Sequence, residues 1–281
     1  MWPRRRGSVA AVLGPGLACR HPGDSRPAAP HREAALLPII ALDTVRKRFA
    51  NGTAALDNVS FAIRPGEFVS LLGPSGCGKS TVLRLIAGLT EPSAGTLAWD
   101  QGPDLGFVFQ EPTLMPWARV LSNVTLPLRL TGMARRKAQA VARDALALVG
   151  LDGFERAFPR QLSGGMRMRV SIARALVTQP RVLLMDEPFA ALDEITRLKL
   201  NDDLLTLWQR QRFTAVFVTH SVFESVYLSS RILVMSARPG RIMADIPIDA
   251  PYPRSEGFRL SPDYAQHCAR VSAALGQAIA A

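Results

Sequence analysis

The run Gly73-Pro74-Ser75-Gly76-Cys77-Gly78-Lys79-Ser80-Thr81 constrains this chain more than any other stretch. It satisfies Gly-x-x-x-x-Gly-Lys-[Ser/Thr], the spacing of a phosphate-binding loop, and its flanks agree. Glu67 to Leu72 reads as a short buried strand, and Lys79 to Ala87 as a helix closed by Gly88. Gly73, Gly76 and Gly78 let the backbone turn sharply and present successive N–H groups to an anion, while the helix that follows aims its positive end the same way. Lys79 then reaches the β- and γ-phosphates, and the Ser80 hydroxyl holds Mg²⁺. The implied ligand is a nucleoside triphosphate.

Two further segments supply what such a site needs for chemistry. Arg181-Val-Leu-Leu-Met185 reads as an apolar strand ending in Asp186 and Glu187. Asp186 suits a place beside the metal, and Glu187 is positioned as a general base for water. Upstream, Leu162-Ser163-Gly164-Gly165-Met166 makes Ser163 the N-cap of a helix through Arg174. That is a second helix N-terminus with serine and glycines, hence a second phosphate cradle.

The signature at Leu162 to Met166, set between the phosphate loop and the Asp-Glu strand, resembles that of ATP-binding-cassette (ABC) ATPases, and the rest of the family pattern follows in order. Gln110, after the strand Leu105 to Phe109, matches the Q-loop glutamine; Ala191-Leu192-Asp193 matches the D-loop; His220, after Ala215 to Thr219, matches the switch histidine. Phe49 stands where the family places an adenine-stacking aromatic, a core or edge aromatic being the other reading of that residue. Ala190 departs from the Ser or Gly that many relatives carry before the D-loop.

The resemblance implies an α/β fold, a P-loop ABC cassette with a mainly parallel core sheet, an antiparallel β-subdomain near residues 40 to 65 and a helical subdomain at about 111–178. The cassette is expected over 38–245, a C-terminal extension with a terminal helix over 246–281, and a disordered basic extension over 1–37. ATP and Mg²⁺ are the implied ligands, with Ser80, Asp186 and Gln110 on the metal and Glu187, His220, Lys79 and Gln110 at the hydrolytic centre. The family dimerises head to tail, so each ATP would lie between one copy's phosphate loop and the other's Ser163, Gly164 and Gly165, with Asp193 at the same junction.

Phe109 to Trp117 and Met235-Ser-Ala-Arg-Pro-Gly-Arg-Ile242 look like the nitrate/sulfonate/taurine importer branch, as do Tyr252-Pro-Arg254 and Arg259-Leu-Ser-Pro262. That likeness implies transmembrane permease subunits as partners, an external substrate-binding protein acting through them, and a peripheral place at the cytoplasmic face of the inner membrane. Residues 111 to about 133 would form the groove that receives the permease. The cargo is expected to be nitrate, a sulfonate, taurine or a related small anion, chosen by the other components. The alternative class is a soluble cassette acting as an ATP-gated clamp. The longest uncharged stretch, Gly7 to Cys19, falls short of the ~20 residues of a span, so any membrane domain is expected in another protein.

Composition narrows the remaining classes. The formal net charge is +11, part of it from Arg4, Arg5, Arg6, Arg20, Arg26 and Arg32 near the start. No basic stripe with groove-reading or stacking elements accompanies it, which argues against nucleic acid. Cys19, Cys77 and Cys268 form no metal spacing and no even disulfide set, as suits a reducing compartment. Cys77, beside Lys79 at a helix N-terminus, is expected to have a lowered thiol pKa. Ser261, Pro262 and Asp263 open a last helix whose apolar face is expected to be Tyr264, Cys268, Val271, Leu275 and Ile279.

Overall fold

A computed structural model describes residues 37–280. The disordered extension expected over 1–37 lies, but for Leu37, outside the described residues.

Strands β1 (Ile40–Arg48), β2 (Ala54–Ile63) and β4 (Ala94–Trp99) form an antiparallel sheet in the order β2-β1-β4. The sequence pointed to strands near 40 to 65; β4 joins them because Gly95 turns at φ +84° where the chain passes Thr44. A side chain there would strike the Thr44 carbonyl oxygen at 2.4 Å, so only glycine allows this approach.

The second sheet carries β5 (Leu105–Val108), β6 (Val182–Asp186), β7 (Thr214–Thr219), β3 (Phe68–Leu72), β8 (Arg231–Met235) and β9 (Ile242–Pro247), in that spatial order. All neighbours are parallel except β8 and β9. Its central strands are apolar without alternation because both faces are covered. Along β7, Ala215 and Phe217 join the core under the helices, whereas Val216 and Val218 join the core under the antiparallel sheet. Leu183 and Met185 of β6 face the first of these cores, Val182 and Leu184 the second.

Helix α1 (Lys79–Ile86) follows β3, and Val82, Leu83, Leu85 and Ile86 bury its inner face. Helices α2 (Val120–Leu130), α3 (Arg135–Leu148) and α4 (Gly164–Leu176) come between β5 and β6 and pack on one another. Helix α5 (Glu194–Gln211) follows β6, and α6 (Val222–Leu228) follows β7. The short α7 (Glu256–Arg259) leads to α8 (Pro262–Ala280), whose Tyr264, Cys268 and Val271 are buried as the spacing predicts. At its far end the burial shifts by one residue: Ala278 is buried, whereas Ile279 is 55% exposed. Ala278 also accepts a backbone hydrogen bond from Ala237.

The C-terminal segment is fixed by a buried arginine. Arg254 Nη1 donates to the carbonyls of Val226, Tyr227 and Ser229 at 2.8, 2.9 and 2.9 Å, closing the end of α6, and Nη2 donates to Ala250 at 3.1 Å. Its guanidinium lies 4.2 Å from the ring centre of Tyr252. Arg254→Ala leaves several buried carbonyls unpaired, so we expect a loss of about 3 kcal/mol, or roughly 5–10 °C in thermal midpoint. Calorimetry of the full chain measures it.

Candidate functional site

Loops at the C-terminal ends of four neighbouring parallel strands carry the predicted site residues, Gln110 after β5, Asp186 and Glu187 at β6, His220 after β7 and the phosphate loop after β3. This is the edge at which open α/β sheets bind ligands.

The phosphate loop closes tightly on its surroundings. Gly78 is the N-cap of α1 with φ +106°, and a side chain on it would come within 2.7 Å of Leu56 Cδ2 and 2.8 Å of the Ala55 carbonyl oxygen. Both its conformation and its neighbours therefore demand glycine. Lys79 is only 4% exposed. Its Nζ donates to the carbonyls of Gly73 at 2.8 Å and Pro74 at 3.0 Å and lies 3.6 Å from Glu187 Oε1. An ammonium held this way is a fixed charge at the mouth of the loop.

Glu187 lies between Lys79 and His220, its other oxygen, Oε2, being 3.5 Å from His220 Nδ1. It occupies φ +45°, an uncommon conformation for this residue type, with its N–H donating to the Val218 carbonyl at 3.0 Å. Ser80 Oγ donates to Asp186 Oδ1 at 2.8 Å. Burial pushes the Asp186 carboxyl up, and neighbouring Glu187 adds to the rise, while the Ser80 hydrogen bond opposes it.

A cleft of about 380 Å³ brings together Phe49, Ser75, Gly76, Gly78, Lys79, Ser80, Thr81, Gln110 and Glu187. Phe49 is 40% exposed at this cleft, with Lys47 Nζ 5.5 Å from its ring centre. It is therefore not a core aromatic. Gln110 is exposed, and its following segment is anchored by Arg174 of α4, which donates to the carbonyls of Pro112 at 2.9 Å and Thr113 at 2.8 Å.

Ser163, Gly164, Gly165 and Asp193 do not line the cleft. Ser163 Oγ accepts from Met166 N at 3.3 Å as the N-cap of α4, and Gly165 packs where a side chain would meet Thr196 Cγ2 at 2.7 Å. Asp193 Oδ1 accepts from Thr196 N at 2.9 Å as the N-cap of α5, and this backbone hydrogen bond holds its carboxyl below the usual range.

Cys77 is corrected by the structure. It is 1% exposed, and burial pushes its thiol up, outweighing the lowering effect of Lys79. The helix N-terminus and Lys79 were legible in the sequence; the covering Gly73 and Gly240 backbone was not. We expect alkylation of Cys77 in the folded chain to be at least about tenfold slower than in the denatured chain, by mass-resolved labelling with an iodoacetamide.

Arg238 is a site residue that sequence reasoning missed. It lines the cleft and donates to the Gly76 carbonyl at 3.2 Å from Nε and 3.0 Å from Nη2. Its loop is joined to the antiparallel sheet, since Gly240 N donates to Ala55 O at 2.9 Å and Asp57 N to Gly240 O at 3.0 Å. The Ser-Ala-Arg-Pro-Gly run stood out in the sequence, but only the fold sets it against the phosphate loop.

Residues 56–190 match the family model described as ABC transporter. The chain is similar to the taurine import ATP-binding protein TauB of Rhizobium johnstonii, 46% identical over 78% of this chain and 88% of the relative. It is similar also to the aliphatic sulfonates import ATP-binding protein SsuB of Bacillus cereus, 43% identical over 77% of this chain and 89% of the relative. Among solved structures, the ATP-binding cassette MJ0796, in its dimeric post-hydrolysis state bound to ADP and Pi, aligns with a TM-score of 0.67 and 33% identity over 75% of this chain and 100% of that one. The chain therefore belongs to the ABC transporter family, as one of its ATP-binding, ATP-hydrolysing cassettes.

Proposed function

We propose that this chain hydrolyses ATP to drive a multi-component importer of a small sulfonate-type anion. The observation that supports hydrolysis most is the placing of Glu187 between Lys79 Nζ at 3.6 Å and His220 Nδ1 at 3.5 Å. A carboxylate held there is available to take a proton from water, and His220 orients water and γ-phosphate beside it. Lys79 meets the charge that develops on the transferred group, and Phe49 stacks on the base. Backbone N–H groups from Gly73 to Thr81 surround the phosphates.

Mg²⁺ fits the residues present. Ser80 and Asp186 offer hard oxygen donors side by side, and the raised carboxyl of Asp186 marks a buried charge that a cation would relieve. Ser80, Asp186 and Gln110 would hold it, and its chemistry is to neutralise phosphate charge.

The N-terminus of α4 at Ser163, Gly164 and Gly165, where Ser163 is exposed, and Asp193 beside α5, are assigned to the ATP of a second copy. The dimeric state named for MJ0796 supports that. The permease contact is assigned to the segment after Gln110. There Asn123, fully buried, accepts from Met115 N at 2.7 Å and donates to the carbonyls of Met115, Ala118 and Arg119, which leaves Trp117 77% exposed. Exposed tryptophan on a rigid loop suits a protein contact. Among the described residues no helix is long and apolar enough to cross a membrane, so a permease would supply the span. The names of the taurine and sulfonate relatives support the cargo class, delivered by an external binding protein to a complex at the cytoplasmic face of the inner membrane.

Arg238→Ala removes a guanidinium from the cleft and frees the Gly76 carbonyl. We expect ATP binding to weaken by about five- to tenfold, the range of one charge-assisted hydrogen bond, measured by fluorescence titration. The importer reading is tested by tagging the chain in its native cell, solubilising the membranes gently and identifying what co-purifies. A multi-span permease is expected; recovery of soluble partners alone would overturn transport and favour a soluble clamp.

A further inference from the structure

Glu224, on α6, has no part in the chemistry described above, yet it is buried at the point where two site loops meet. Its Oε2 accepts from Thr219 Oγ1 at 2.6 Å, and Thr219 Oγ1 in turn accepts from Ser221 N at 3.0 Å. Ser221 Oγ closes the ring by accepting from Glu224 N at 3.3 Å. Of the residues flanking His220, Thr219 is thus tied to this carboxylate directly and Ser221 through the Thr219 hydroxyl.

The other oxygen faces α5. Oε1 lies 3.9 Å from Arg197 Nε, within ion-pair range but too long for a hydrogen bond. Arg197 Nη2 donates to the Leu192 carbonyl at 2.9 Å, one residue before Asp193. Arg197 Nε and the nearby Asn201 Oδ1, on the same helix, are buried without a hydrogen-bond partner among the described residues. Burial pushes the Glu224 carboxyl up, whereas Thr219 and Arg197 pull it back down, so its charge depends on these contacts. A half-buried ion pair with one weak joint and unsatisfied neighbours can be tightened by a small movement of α5 against α6.

We propose that Glu224 is a positioning residue that couples the His220 loop to the Asp193 loop through Arg197. His220 faces Glu187, which lines this chain's own cleft, whereas Asp193 is assigned above to the junction with a second copy. A shift of the Asp193 loop on dimer closure would pull Arg197 toward Glu224 and, through Thr219 and Ser221, set His220 against Glu187. The inference rests on the hydrolytic reading of His220 and Glu187 given above.

Steady-state hydrolysis by the full-length chain tests it. Glu224→Ala is expected to lower kcat about 10- to 100-fold, the scale of a misplaced catalytic group, while KM for Mg-ATP stays within about twofold. Glu224→Gln keeps an acceptor for Thr219 but loses the charge facing Arg197, and its kcat should fall between the two. In a double-mutant cycle, Glu224→Ala added to Arg197→Ala should cost far less than the product of the single effects. Effects that multiply, or a kcat for Glu224→Ala within about twofold of wild type, would overturn the coupling. If Glu224→Ala does not fold, a Glu224→Gln chain with full kcat would overturn it equally. A wild-type chain without Mg-ATPase activity would instead defeat the hydrolytic reading itself.

Discussion

Glu187→Gln is expected to bind ATP with an affinity within a few-fold of wild type and to hydrolyse it at least about 100-fold more slowly, the usual contribution of a general base. The substitution keeps the size of the side chain and removes its negative charge. Lys79 Nζ, now 3.6 Å from one carboxylate oxygen, loses its counter-charge, and His220 Nδ1, 3.5 Å from the other, loses its carboxylate neighbour. The groups proposed to meet the nucleotide, the loop from Gly73 to Thr81 with Phe49 and Arg238, are untouched by the substitution. Binding should therefore survive, and removing a carboxylate next to a polyanion should favour it slightly. Fluorescence titration paired with a phosphate-release assay separates the two effects. Turnover within about tenfold of wild type would assign the base to another group.

Lys79→Met should have the opposite signature, with binding itself lost. The ammonium is 4% exposed and makes two carbonyl hydrogen bonds of 2.8 and 3.0 Å, so its position is set before nucleotide arrives. Its removal takes a positive charge from the cleft and leaves Glu187 facing the same space without its cationic partner. Both changes act against an anion. We expect ATP affinity to fall by about 100-fold or more, the scale of losing one preorganised electrostatic donor. The Gly73 and Pro74 carbonyls lose a donor as well, so the thermal midpoint should also fall, by a few degrees. A Lys79→Met chain that binds ATP as wild type does would remove Lys79 from phosphate recognition.

These expectations were largely legible in the sequence because phosphate chemistry fixes residue types at fixed spacing. Gly78 cannot be replaced at φ +106° beside Leu56, Lys79 must follow it to enter the loop, and a strand must precede both. The parallel sheet was legible for a related reason: strands buried on both faces read as continuous apolar runs, as Val182 to Met185 and Ala215 to Val218 do. What escaped the sequence depends on contacts between distant segments. Arg238 meets Gly76, Arg254 meets the end of α6, and Glu224 faces Arg197, each across many intervening residues. No local period marks such pairs. Cys77 shows the same limit in another form, because its position at a helix N-terminus was visible while the backbone that buries it was not. At the end of α8 the helical spacing gave the right face, but the last buried residue is Ala278 rather than Ile279.

The central claim is that ATP is held between two copies of this chain, with one copy supplying Lys79, Glu187 and His220 and the other supplying Ser163, Gly164 and Gly165. Sedimentation velocity of the full-length Glu187→Gln chain, with and without Mg-ATP, tests it most directly. The account predicts monomer without nucleotide and dimer with it, because the uncleaved γ-phosphate keeps the two surfaces joined, and it predicts that a further Ser163→Arg substitution abolishes the dimer while each chain still binds ATP. A Glu187→Gln chain that binds ATP and remains monomeric at every protein concentration tested would contradict it.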